Sequence, residues 1–153
     1  MQKQYIVGQA TFSEVEELIK FSQQFLPEAS FDKDQITSYL KLLISNQHSV
    51  FIARDSSRKV AGVLLALSNG VDWRTGQKIV IEQGVYILNE IERIDICKAL
   101  YKRLYEWALS LGAVKILAEA GVMNKSVVAE EDYKKFGFKT IGQVMEREVN
   151  QYV

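Results

Sequence analysis

The chain has 153 residues, 48% hydrophobic and 25% charged, enough for one domain with a full core and short for two. Its 19 basic side chains balance 19 acidic ones, so no net charge draws it to nucleic acid or an anionic membrane. No apolar run is long enough for a membrane span, a secretory signal is not expected from the pattern of the first residues, and the single cysteine, Cys97, excludes an internal disulfide framework and a cysteine zinc cluster. A reducing cytoplasm is the expected setting.

In chain order, Gln4–Ala10 reads as a short strand, with Gly8 as a candidate bulge. Ser13 and Glu16 fit a capping box for a helix running to about Gln24 and stopped by Pro27. Asp32 or Asp34 can cap a second helix through about Ser45, with Ile36, Tyr39, Leu40, Leu43 and Ile44 inward. Ser49–Arg54 and Val60–Ser68 are strands around the polar loop 55–59, and 69–77 is a loop carrying Trp73 and Arg74.

The stretch from Ile79 to Leu111 organises the rest. Ile79–Leu88 is rich in β-branched and aromatic residues, as a strand buried on both faces requires. Asn89 is the expected N-cap, with Glu92 placed to reach back. Ile91, Ile94, Cys97, Leu100, Leu104, Ala108 and Leu111 then recur at helical spacing, and Gly112 ends the helix. Val114–Ala120 is the next strand, 121–125 a loop, Ser126–Lys135 a short helix, and Phe138–Val149 a bent terminal strand or a cramped hairpin around Gly142. The strand–helix–strand unit puts a helix N-terminus where an anion can be held.

The order β-α-α-β-β-β-α-β-α-β resembles the GNAT superfamily of acyl-CoA-dependent N-acyltransferases. Ala10-Thr11 before a capped helix looks like its opening, Ile79 onward like its CoA-binding core, and Tyr133-Lys134-Lys135-Phe136-Gly137-Phe138 like the Tyr-x-x-x-Gly-Phe ending of its last helix. The resemblance implies a single α/β domain over 1–153. Its mixed, mostly antiparallel sheet would splay in a central V between two parallel strands, flanked by about four helices. It also implies an acetyl-CoA or other acyl-CoA cosubstrate and an amine-bearing small molecule or protein as acceptor, with no metal, nucleic acid or membrane partner. A homodimer stays open. The family's CoA-binding positions fall on Val85, Ile87, Arg93, Ile96, Cys97, Lys98 and Asn124.

One motif departs from the family. Where the pattern is Gln/Arg-x-x-Gly-x-Gly/Ala, this chain has Glu92-Arg93-Ile94-Asp95-Ile96-Cys97. The small residues that let a pyrophosphate approach the backbone are replaced by Asp95 and Cys97. Glu90, Glu92 and Asp95 compensate the helix dipole internally. Arg93 and Lys98 offset part of this charge. A helix that binds no anion, and a fold kept only for binding or assembly, is therefore the alternative to an enzyme.

Glu82 is expected on one strand face with Val80, Tyr86 and Leu88, where desolvation raises a carboxyl's pKa and suits it to deprotonate an amine. A salt-bridged glutamate at the sheet margin is the other reading. Tyr133 matches the family tyrosine that protonates the departing CoA thiolate, or is a core tyrosine with a satisfied hydroxyl. Gly84 marks a bulge or a packing glycine. Asn124 stands near the family's post-strand asparagine, but farther from Tyr133 than the pattern has it. His48 reads as a surface residue and Cys97 as buried and inert. Trp73 and Arg74 either line a substrate pocket or are exposed loop residues without a role.

Overall fold

A computed structural model of the chain describes residues 3–25, 32–118 and 130–149. Five strands, β1 (Ile6–Gln9), β2 (Ser49–Arg54), β3 (Val60–Val71), β4 (Lys78–Ile87) and β5 (Lys115–Ala118), form one sheet in chain order. The first three pairings are antiparallel and β4–β5 is parallel. Helices α1 (Val15–Ser22) and α2 (Lys33–Ser45) cover one face, and α3 (Arg93–Ser110) and the short α4 (Glu130–Lys135) pack on the other.

The caps explain where the helices begin. Asp32 accepts the Gln35 N–H at 2.9 Å and starts α2. Glu14 reaches back to the Thr11 N–H at 3.0 Å, so the capping box lies two residues earlier than Ser13–Glu16. A 3-10 turn, Phe12–Glu14, leads into α1. Arg54, at the end of β2, donates to both Glu14 and Glu17 and ties that helix start to the sheet. Gly112 ends α3 at φ +75°, a left-handed turn that suits glycine. Pro27 lies outside the described residues.

The core is split by the sheet. On one side Leu18, Ile19, Phe21, Leu40 and Leu43 meet Val50, Ile52 and Val63; on the other Leu100, Leu104 and Trp107 meet Phe51, Leu64, Val80 and Val85. Leu100 and Leu104 are fully buried, so truncation of either to alanine costs about 2–5 kcal/mol. The α3 axis lies hard against β3 at Gly62, where a Cβ would come within 2.7 Å of the Ile96 side chain.

Several details differ from expectation. Gly8 pairs in regular register with Ile52, without a bulge. Ile91 is 96% exposed because α3 begins only at Arg93, two residues later. Residues 138–149 form no strand. Neither alternation of that segment is uniformly apolar: Val144 shares one with Glu146 and Glu148, and Met145 shares the other with Arg147. Register is therefore weakly specified.

Candidate active site

The bulge in β4 sets the geometry. Glu82 pairs with Ala66 and Gly84 with Leu65, leaving Gln83 as the extra residue. This inverts the strand's phase. Val80 before the bulge and Val85 and Ile87 after it all join the core under α3, whereas Tyr86 packs on the α1–α2 side. Glu82 therefore does not share a face with Tyr86, as simple alternation predicts. The parallel pairing of β4 with β5 ends at the same point, Glu82 opposite Ala118. Beyond it, Gln83–Ile87 have no β5 partner among the described residues.

At that junction three side chains converge. Tyr101 of α3 donates to Glu82 Oε1 at 2.5 Å, and Tyr133 of α4 donates to the same oxygen at 3.0 Å. Glu82 is 3% exposed and Tyr133 6%, so the hydrogen bonds are made in a poorly hydrated site, where they are strengthened. Burial, reinforced by the neighbouring Glu82 carboxylate, pushes both phenols above their ordinary pKa. Phe136 and Phe138 pack around the pair, Phe136 stacked on Tyr101 at 5.0 Å and Phe138 edge-on to Tyr133 at 5.4 Å. Both expected catalytic residues, Glu82 and Tyr133, are thus brought into direct contact. Tyr101 was not among the residues expected at the site.

The start of α3 is held differently. Asn89 accepts the N–H groups of Ile91 and Glu92 at 3.0 and 3.3 Å, a turn that precedes the helix, and Glu92 occupies the N-cap position. Glu92 does not reach back along its own helix. Its carboxylate pairs with the Lys3 ammonium and accepts the Tyr5 hydroxyl at 2.5 Å. Those bonds hold its carboxyl below the usual carboxylate range. Arg93 pairs with the buried Asp132 of α4 at 3.0 Å, and its Nε is buried with no acceptor among the described residues.

The remaining expected residues sort by burial. Ile96 and Cys97 are fully buried and Lys98 is exposed. Burial pushes the Cys97 thiol up to about 12, the mark of an inert cysteine. Asn124 lies outside the described residues. His48 is half-buried, its Nδ1 accepting the Ser68 N–H at 3.0 Å. Trp73 is exposed, and Arg74 closes its loop on Asp72 at 3.1 Å. Among the described residues no cluster of three or more ligating side chains is suited to a metal, and no helix is long and apolar enough to cross a membrane.

No curated protein matches the chain. Solved structures do. The aminoglycoside N-acetyltransferase AAC(6')-Iy, in complex with a bisubstrate analogue of CoA, superimposes with a TM-score of 0.79 at 15% identity, covering 97% of this chain and 99% of that one. A predicted acetyltransferase from Clostridium acetobutylicum with acetyl-CoA has a TM-score of 0.72 at 17% identity, covering 95% and 96%. Glucosamine-6-phosphate N-acetyltransferase from Arabidopsis thaliana has a TM-score of 0.70 at 16% identity, covering 97% and 100%. At such identities the likeness shows a common fold. The sequence itself matches the model of the acetyltransferase (GNAT) family over residues 12–138. With the parallel β4–β5 pair, its strand junction and that match in one chain, this protein belongs to the acetyltransferase (GNAT) family.

Proposed function

We propose that the protein transfers an acyl group, acetyl in the first instance, from a CoA thioester to a primary amine by direct attack. The observation that carries this reading is the Glu82–Tyr133 hydrogen bond at the last described pair of β4 and β5. An acyl-CoA supplies the electrophilic carbonyl and a thiolate leaving group. Glu82 takes a proton from the attacking amine, and Tyr133 gives its phenolic proton to the departing sulfur. The 3.0 Å contact between them then returns the proton from Glu82 to Tyr133. The amine's proton ends on the thiol, and both residues are restored.

The residues suit the two ends of an acyl-CoA unequally. Past the bulge, Val85 and Ile87 have no β5 partner among the described residues, and their backbone groups suit the amides of a pantetheine arm. At α3, Arg93, paired with Asp132 and with no Nε acceptor among the described residues, favours an anion, while Glu92 and Asp95 oppose one. The Lys3–Glu92–Tyr5 contacts are the specific observation favouring a second reading, a non-catalytic member of the family that no longer binds CoA. Calorimetric titration with acetyl-CoA separates the two. Saturable binding with acetylation of an added amine supports the enzyme; no heat at millimolar acetyl-CoA leaves the second reading.

A further inference from the structure

The six-residue helix α4 carries one of the two proposed catalytic groups, and it is too short to hold a conformation by its own hydrogen bonds. Its orientation must come from docking. Two adjacent residues, Asp132 and Tyr133, are buried at 5% and 6% exposure, while the other four are exposed. Neighbours on a helix point about 100° apart, so these two reach different partners. Tyr133 donates to Glu82 and meets Tyr101 of α3 edge-on at 5.6 Å. Asp132 pairs with Arg93 at the start of α3, N to O 3.0 Å, and with the exposed Lys135 at 3.6 Å. Arg93, Cys97 and Tyr101 stand one turn apart along one side of α3. The two attachments of α4 are therefore about 12 Å apart along the α3 axis.

We propose that Asp132 is a positioning residue for Tyr133: paired with Arg93, it fixes the rotation of α4 that sets the tyrosine hydroxyl on Glu82. The proposal rests on the acyl-transfer reading above, in which Tyr133 is the general acid. Either attachment alone leaves α4 free to pivot; two together do not. A small turn of α4 would carry the hydroxyl, at the end of a long ring, out of its 3.0 Å contact. A carboxylate is a costly choice for a buried helix position, where an apolar side chain would pack without losing hydration. What it supplies is a point-to-point attraction, strong in a poorly hydrated site, whereas apolar contact is non-directional. The same guanidinium favours an anion at the start of α3, so one side chain serves both ends of the proposed site.

Asp132→Asn removes the attraction and keeps the shape. Transfer from acetyl-CoA should lose roughly 10- to 100-fold in kcat, the scale of a misplacement near 1 Å. Acetyl-CoA affinity by calorimetry should hold or tighten, because Arg93 is released. In a Tyr133→Phe background the same substitution should cost less than about twofold, since it acts through the missing hydroxyl. Losses that multiply in the double variant, or weaker acetyl-CoA binding in Asp132→Asn, overturn the proposal. Arg93→Met with Asp132→Leu replaces the pair by apolar contact, and serves also if Asp132→Asn does not fold. It should recover the melting temperature without recovering kcat at saturating acetyl-CoA; recovery of both makes the pair simple packing and overturns the proposal. The nuclear Overhauser effect between the rings of Tyr101 and Tyr133 reads the same geometry without acyl transfer, and should weaken in Asp132→Asn. Weakening in a protein that acetylates no amine keeps the Asp132 assignment as a strut and removes the acyl-transfer reading. An unchanged effect in the folded variant overturns the proposal and leaves acyl transfer standing.

Discussion

The two ends of the β4–α3 unit are built on opposite terms. At the Glu82 end, a carboxylate is buried and collects hydroxyl hydrogen bonds from two other elements, Tyr101 of α3 and Tyr133 of α4. At the Arg93 end, the carboxylate of Glu92 stands at the helix start and is tied sideways to Lys3 and Tyr5. A buried carboxylate that accepts from neutral hydroxyls leaves room for a proton to move. One already paired with an ammonium uses up the positive end of a helix that an anionic ligand would otherwise meet. The contrast locates divergence from the family pattern at the phosphate end and leaves the proposed chemical end assembled.

The sharpest way to break that contrast is Tyr133→Phe. It deletes one hydroxyl from the Glu82 end and leaves the Arg93 end untouched. Turnover should fall by roughly 10²–10⁴-fold, the range for a general acid–base group, while acetyl-CoA affinity by calorimetry stays within about twofold. Turnover equal to wild type would remove Tyr133 from the mechanism.

Asp95→Gly attacks the other end. The aspartate lies in the first turn of α3, and a phosphate about 6 Å from such a carboxylate is repelled by about 1–3 kcal/mol at effective dielectrics between about 20 and 80. CoA should therefore bind roughly ten- to a hundredfold more tightly in the variant, at a helix cost of about 0.5–1 kcal/mol for the glycine. Cys97 is best left alone, because its side chain is fully buried and shortening it would open a cavity. Unchanged CoA affinity would mean that Asp95 does not face the ligand.

Tyr101→Phe distinguishes a positioning residue from a packing one. Its hydroxyl stabilises the ionised form of Glu82 through a 2.5 Å bond, so removing it should move the rising limb of the pH–rate profile to higher pH and lower the rate only several-fold at neutral pH. Glu82→Gln should abolish that limb altogether. A profile unmoved in Tyr101→Phe, with a lower melting temperature, would leave the tyrosine a structural role alone.

Much of this was legible wherever the signal was local. Asp32 capping α2, the limits of β2 at Ser49 and Arg54, and Gly112 ending α3 each follow from one residue's conformational or hydrogen-bonding preference. Gly84 announced the bulge, but alternation counted straight through it put Tyr86 beside Glu82 on the wrong face. Tyr101 was missed although it stands four residues after Cys97, one turn along the buried side of α3. That spacing was the available clue. The ties of Glu92 to Lys3 and Tyr5, and of Arg93 to Asp132, join segments far apart in the chain. No spacing rule reaches them. The terminal strand expected over 138–149 failed because its alternation specifies no buried face.

The smallest effect expected is also the most direct probe of how the Arg93 end is held. The Lys3 ammonium and the Tyr5 hydroxyl keep Glu92 below its ordinary carboxyl value of 4.5 in the folded chain. A carboxylate with a depressed folded pKa contributes stability that is fully present above its unfolded value. That contribution is lost as pH falls through the lower folded one. Wild type should therefore melt slightly above Glu92→Gln at pH 7, and the two melting curves should converge as pH drops below about 4.5. Added salt should narrow the gap at pH 7, since Lys3 is mostly exposed. The same substitution leaves the helix start less negative, so CoA affinity should rise while melting temperature falls. A variant that loses stability without gaining CoA affinity would show that Glu92 serves only to fasten the N-terminal strand to α3, and the phosphate end would then differ from the family in its side chains but not in its charge.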